Sequence, residues 1–277
     1  MNGWEGHATD RTMPPDTVTC ALRPQSRVAV PESVELSSMV RSSVPSAFYA
    51  FAQRTLDIVV SALALLVCSP VMLLIGLLVR FSSGGSVLFK QVRIGINRRT
   101  PSDIAYRGVE RRVEDLFGRP FMLYKFRTMY SNARELFPDL YRYSYNEDEL
   151  ARLPIKVLVS GKQAVQDPRI TPIGRWLRRS SLDELPNFLN VLKGDMHLVG
   201  PRPDIAQNIR YYTISHRRKL TVKPGLTGLA QIRGRGNLSF NQTNEYDVEY
   251  VDKRSLLFDV KILSKTVVIT LKAIGAY

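Results

Sequence analysis

Hydrophobic and polar positions divide the 277-residue chain into three unequal stretches. Residues 1–47 hold five prolines and seven serines among scattered charges, without helical or strand period, and predict a disordered polar tail. From Ile58 to Val79 run 22 residues without a charge, bounded by Asp57 and Arg80. As a continuous helix this run would measure about 33 Å, against a bilayer core of roughly 30 Å. It begins too deep in the chain, and lacks the small-residue site, for a cleavable signal peptide. Residues 48–81 are therefore expected to meet membrane, a buried core helix being the alternative. Ser46–Gln53 forms an amphipathic lead-in whose Phe48, Tyr49 and Phe51 suit the headgroup boundary. Ser69-Pro70 interrupts the run, because proline removes a backbone donor and kinks a helix. A kinked span and a re-entrant hairpin both satisfy that pattern. The Ser69 hydroxyl is the donor at hand for a freed carbonyl.

Residues 82–277 read as one mixed domain. Ser82–Gly85 predicts a turn, Ser86–Val92 and Phe121–Phe126 short strands, and Asn132 the start of a helix. Asn97–Asp115, rich in arginine, and Ser144–Gly161 read as loop excursions. Pro172–Arg179 and Pro186–Lys193 predict helices, the second stopped by Gly194. Asn208–Lys219 predicts a basic helix. Leu256–Ile274 fits either a core helix with a solvated face or a helix in the membrane interface.

Composition adds a compartment and a sign. At 44% hydrophobic and 23% charged the chain is ordinarily globular, and Cys20 and Cys68 are too few for a disulfide scaffold. The net charge is +14, yet residues 1–57 carry five basic and six acidic side chains. The whole excess lies C-terminal to the apolar run, which places that part in the cytoplasm. The expected partner is polyanionic: nucleic acid, a phosphorylated ligand or acidic lipid.

The densest constellation is Asp167–Pro203, which interleaves Asp167, Asp183, Glu184 and Asp195 with Arg169, Arg175, Arg178, Arg179 and Arg202. Arginine forks bind phosphate oxygens bidentately. A carboxylate beside a diphosphate holds a divalent cation, Mg²⁺ above all, or attacks phosphorus. Ser181-Leu182-Asp183-Glu184 also matches a helix capping box, and such a helix start would itself favour phosphate. Lys125 and Arg127 alternate about Phe126 and could share an anion, or simply line a solvated edge. Gly200-Pro201-Arg202-Pro203 is a stiff turn presenting one arginine. Lys223–Gly228, with Arg233, Gly234 and Arg235, is a glycine-punctuated basic loop that could cradle phosphate. No cysteine pair has zinc spacing, His7, His197 and His216 form no cluster, and no glycine elbow marks a serine nucleophile.

Lys125-Phe126-Arg127-Thr128-Met129, the run Asp167–Pro203 around Ser181–Pro186, Pro224–Gly228 and the tail Tyr246–Tyr277 together resemble the bacterial sugar transferases. These are monotopic polyprenyl-phosphate phosphoglycosyl transferases, and the likeness extends over about Ala50–Tyr277. It implies an α+β, mainly helical fold: a tail (1–47), a re-entrant membrane helix (48–81) broken at Ser69-Pro70, and a cytoplasmic catalytic domain (82–277). It also implies that Asp183 attacks the β-phosphorus of a UDP-sugar, that UMP leaves, and that polyprenyl phosphate then takes the phosphosugar. Glu184 would hold Mg²⁺, and Lys125, Arg127, Arg178, Arg202 and Arg235 would contact phosphates. The setting implied is the bacterial inner membrane, with UDP-sugar, polyprenyl phosphate and membrane lipid as partners. Nucleic acid is not among them, and a homodimer is compatible. The product would start exopolysaccharide, capsule or glycoconjugate assembly. Two departures stand out: His197 occupies a position usually serine, and the Asn97–Asp115 and Ser144–Gly161 excursions are longer than in minimal members. A membrane-tethered basic adaptor and a glycosyltransferase releasing UDP are the competing readings.

Overall fold

The computed structural model describes residues 46–97, 118–141, 145–155 and 167–272. The expected tail, most of Asn97–Asp115 and much of Ser144–Gly161 lie outside the described residues. Helix α1 runs 36 residues from Ala47 to Ser82. Ser46 starts it, its hydroxyl oxygen accepting from the Tyr49 amide at 3.2 Å, which satisfies a donor the first turn leaves open. The helix continues through Pro70. Proline has no N–H, so the Leu66 carbonyl loses its backbone partner. The Ser69 hydroxyl donates to that oxygen instead, at 2.8 Å. Leu63, Leu66, Val67 and Leu73 are exposed, and α1 is long and apolar enough to cross a membrane.

Strands β1 (Leu88–Ile94) and β2 (Pro120–Phe126) pair antiparallel, Leu88 opposite Phe126 and Ile94 opposite Pro120. Helix α2 (Ala133–Leu136) lasts only four residues, because Phe137 precedes Pro138 and a residue before proline avoids the helical region. Helix α3 (Glu147–Arg152) opens on a capping box of Asn146 and Glu149. Helix α4 (Pro172–Ser180) is followed by a 3-10 turn, Leu182–Glu184, and by α5 (Asn187–Lys193). Gly194, at φ 81°, closes α5 as expected.

Strand β3 (His197–Val199) comes next. The basic helix expected over Asn208–Lys219 is broken into α6 (Ala206–Ile209), α7 (Ile214–Arg217) and a 3-10 turn, Arg218–Thr221. Thr213 causes the break: extended at φ −68° and ψ 167°, it caps α7 in a capping box with His216. The break lets Tyr212 and Lys219 both face inward. Strand β4 (Gly225–Thr227) pairs parallel to β3. Helices α8 (Leu229–Gly234), α9 (Phe240–Lys253) and α10 (Leu256–Leu271) complete the described chain.

Leu123, Val191, Leu198, Val199, Tyr250 and Ile262 form the main core, so α10 contributes core on one side. Its Leu257, Val260, Val267 and Val268 are exposed on the other.

Both halves of α1 are fastened to this domain. In the first half, Arg54 donates to the Val191 and Leu192 carbonyls at the end of α5, each at 2.7 Å. Asp57 accepts from the Leu198 amide at 2.8 Å and lies 2.5 Å from His197 Nδ1. Tyr49 is buried and donates to Asp259 at 2.8 Å, which removes it from the expected headgroup boundary; Phe48 and Phe51 are exposed. In the second half, Ile75 and Val79 bury against Phe126 and Leu177.

Candidate active site

Asp183 sits on the 3-10 turn between α4 and α5, and two features set that turn. Ser181 adopts the left-handed conformation, φ 60° and ψ 15°, and its amide donates to the Arg178 carbonyl, so it terminates α4. Three residues per turn then place Leu182 and Leu185 on one side of the 3-10 turn. Both pack onto the cluster of Ile75, Val79, Phe126 and Leu177. The capping box expected of Ser181 and Glu184 is therefore absent: Ser181 makes no side-chain cap, because its backbone already serves the helix before it.

Lys125, next to last in β2, reaches this turn, its Nζ lying 2.5 Å from Glu184 Oε1. Arg178, in the last turn of α4, donates from Nε to Thr128 Oγ1 at 2.9 Å and acts electrostatically on Asp183. Asp183 is 8% exposed. Burial, and Glu184 beside it, push its carboxyl up to about 6 against the pull of Lys125 and Arg178. A buried carboxylate next to a second one, with a lysine and an arginine held close, can ionise and present an oxygen to an electrophile.

Of the other expected residues, Arg127 bonds elsewhere. Arg127 does not share an anion with Lys125: β2 ends at Phe126, and Arg127 turns to the C-terminal end of α1. There its Nη2 donates to the Ser83 carbonyl at 2.5 Å and the Ser83 hydroxyl at 2.9 Å. Arg202 is held through its backbone, its amide donating to Asp247 at 3.2 and 3.3 Å. Arg235 opens a short 3-10 turn, and its side chain lies outside the described residues. Ser69 and Pro70 stay within α1.

The glycine-punctuated loop has a packing role. A Cβ on Gly225 would meet the Gly200 nitrogen at 2.0 Å, and one on Gly200 the Lys223 carbonyl at 2.7 Å. The glycines thus let β4 close on the Gly-Pro-Arg-Pro turn. Beneath that turn lies a network that no spacing in the sequence signals. Lys219, 3% exposed, donates to Asn244 and Asp247, both at 2.8 Å. Asp247 is the carboxylate that holds Arg202. The Asp57–His197 pair was equally hidden, although Asp57 was visible as the charge flanking the apolar run.

A family model described as "Bacterial sugar transferase" matches residues 48–273. The chain belongs to the bacterial sugar transferase family. Among its relatives, this sugar transferase is 36% identical to the exopolysaccharide production protein ExoY of Rhizobium meliloti, over 82% of this chain and 88% of that protein. It is 37% identical to the UDP-glucose:undecaprenyl-phosphate glucose-1-phosphate transferase of Escherichia coli, over 78% of this chain and 39% of the relative. An uncharacterized sugar transferase of Haemophilus influenzae is 38% identical over 81% of the chain, which spans 42% of it. The chain thus spans about two fifths of the larger relatives and most of the ExoY protein. The match covers α1 as well as the domain carrying Asp183.

Proposed function

We propose that this sugar transferase moves a phosphosugar from a UDP-sugar to polyprenyl phosphate, releasing UMP, through a phosphosugar ester of Asp183. The observation that carries the reading is the Asp183 carboxylate itself: buried, flanked by Glu184, Lys125 and Arg178, and fixed by leucines that pack on α1. The Escherichia coli relative, named for glucose-1-phosphate transfer to undecaprenyl phosphate, supports the same substrate classes.

In the first step an Asp183 oxygen attacks the β-phosphorus, the bond to the bridging oxygen breaks, and UMP leaves with that oxygen. An acyl phosphate then joins Asp183 to the sugar. In the second step an oxygen of polyprenyl phosphate attacks the same phosphorus and the Asp183 carboxylate departs, giving a polyprenyl diphosphate sugar. Lys125 and Arg178 offset the negative charge that opposes the attack of a carboxylate on a diphosphate. Among the described residues no three His, Cys, Asp or Glu side chains gather into a metal cage. Mg²⁺ does not require one, since it takes one or two carboxylates and completes its shell with water and substrate phosphates. Glu184, with its side chain 35% exposed, would hold it. When bound, the ion supplies charge neutralisation at the diphosphate.

The anchor belongs to the same reading. Because Arg54 and Asp57 in one half of α1, and Ile75 and Val79 in the other, attach to one domain, a helix that enters and leaves by one face accounts for both attachments. A crossing helix would send one of them to the opposite side. The basic excess C-terminal to the apolar run supports a cytoplasmic setting for that face, at the inner membrane. The product would start exopolysaccharide or related assembly, as the name of the ExoY relative indicates for that protein.

Identifying the nucleotide product tests the chemistry. Incubation of the enzyme with UDP-sugar and polyprenyl phosphate should yield UMP. Release of UDP would instead mean transfer of the sugar alone.

A further inference from the structure

Asp167 and Arg169 open the arginine-rich run of the sequence, and the fold buries them against each other. Arg169 Nε and Nη2 donate to the two oxygens of Asp167 at 2.9 and 2.7 Å, and its Nη1 donates to the Leu140 carbonyl at 2.8 Å. This pair braces the segment that follows β2. The Tyr130 amide donates to the Arg169 carbonyl and the Thr171 amide to the Thr128 carbonyl, each at 3.0 Å. Residues 128–130 are thereby clipped antiparallel to residues 169–171, about a bridge between Met129 and Ile170. The clip sets where α4 begins.

Thr128, itself buried, then meets α4 at both ends. Its carbonyl oxygen lies 3.4 Å from the Thr171 hydroxyl, whose oxygen caps α4 by accepting from the Gly174 amide at 2.9 Å. Gly174 is required by this approach: a Cβ there would stand 2.0 Å from the Thr128 carbonyl oxygen. One helical turn on, and on the same face of α4, Arg178 Nε donates to the Thr128 hydroxyl at 2.9 Å. The first turn of the helix rests on the backbone of Thr128 and the last turn on its side chain.

The two cations that pull the Asp183 carboxyl down are Lys125 and Arg178. Both are referred to this one residue. Lys125 precedes Thr128 by three positions, at the end of β2, and meets Glu184. Arg178 is bonded to Thr128 directly, and α4 passes through Ser181 into the turn that carries Asp183. Arginine carries a planar fork on a long flexible stem, so a bond at Nε fixes a plane that the stem alone would leave to rotate.

We infer that Thr128 is a positioning residue for the phosphoryl transfer: its carbonyl docks α4 on the segment that carries Lys125, and its hydroxyl orients the Arg178 guanidinium beside Asp183. The inference rests on the transferase reading and adds a residue that acts through Arg178. Without the hydroxyl the guanidinium swings, the Asp183 carboxylate becomes harder to ionise, and the diphosphate is less well neutralised.

The test is a double-mutant cycle on the full-length protein in vesicles, read as UMP released from UDP-sugar without acceptor. Thr128→Val removes the hydroxyl but keeps the branched shape and the carbonyl. It should slow the release about ten- to a hundredfold, the scale of one hydrogen bond to a charged group, and move the acid limb of the pH profile to higher pH. Thr128→Ser, which keeps the hydroxyl, should hold both near those of the unmodified enzyme. In an Arg178→Ala background Thr128→Val should change neither, since the guanidinium it orients is gone. Urea unfolding shows which variants are folded, and Thr128→Ala is carried in parallel should valine prevent folding. Unimpaired release from Thr128→Val, slower release at an unchanged acid limb, or an equal loss in the Arg178→Ala background would each overturn the inference and leave Thr128 a packing residue. Unmodified enzyme that releases no UMP would instead overturn the transferase reading, and the inference with it.

Discussion

A carboxylate that attacks phosphorus must be ionised, yet Asp183 is buried beside a second carboxylate, and both circumstances favour its protonated form. Its pKa of about 6 is the resultant. The first half-reaction should therefore fall as pH drops through about 6, where an ordinary aspartate would sustain it to near 4. A stopped-time profile of UMP release without acceptor measures this. Stability has the opposite dependence. The folded-state pKa lies above the unfolded one, so the folded protein binds the proton more tightly and loses stability as pH rises from about 4 to about 6. Asp183→Asn should accordingly be more stable than the unmodified protein above about pH 6, by up to roughly 3 kcal/mol in urea unfolding, and no different near pH 4. Lys125→Met removes a partner that lowers the Asp183 pKa. It should cut the first step about 10²- to 10³-fold and move the acid limb of the profile to higher pH. A purely structural lysine would leave that limb in place. Asp183, Glu184 and Lys125 were legible in the sequence because they lie within short ordered motifs. The role of Ser181 was not, since the capping pattern Ser-x-x-Glu says nothing of the left-handed backbone that the packing of Leu182 and Leu185 imposes.

Elements with a local cause were the readable ones. The Gly194 stop of α5, the Ser46 start of α1 and the Ser69 bond across the Pro70 gap each follow from residues within four positions of the feature. Where cause is distant the pattern misleads. Asn208–Lys219 looks like one basic helix, but Thr213 breaks it, and Lys219 faces inward to Asp247, 28 residues on. Arg127 alternates with Lys125 on paper, yet it serves the end of α1, 44 residues earlier. The pairing of β4 with the Gly-Pro-Arg-Pro turn is of the same kind, and it gives a sharp expectation. Gly225→Ala would put a methyl against the Gly200 backbone, so it should lower stability by at least about 1–3 kcal/mol. Urea unfolding measures the loss. UMP release should weaken with it, because that turn presents Arg202.

At the scale of the whole molecule, a helix long and apolar enough to cross a membrane is fastened in both halves to a domain whose Asp183 turn rests its leucines on that helix. The positive charge C-terminal to the apolar run was visible in the sequence. The double attachment was not, for it depends on Asp57 meeting His197 across 140 residues. In a background without native cysteines, Ala47→Cys and Gly84→Cys mark the two ends of α1, and both positions are exposed. A membrane-impermeant thiol reagent should label both from the cytoplasmic face only; labelling of one from each face would mean that α1 crosses. The chemistry is tested most directly with a UDP-sugar labelled in its β-phosphate and no acceptor present. Label should become covalently bound to the protein, transfer to polyprenyl phosphate when that is added, and be absent from Asp183→Asn. Protein that stays unlabelled, or label that persists in Asp183→Asn, would contradict the aspartyl intermediate.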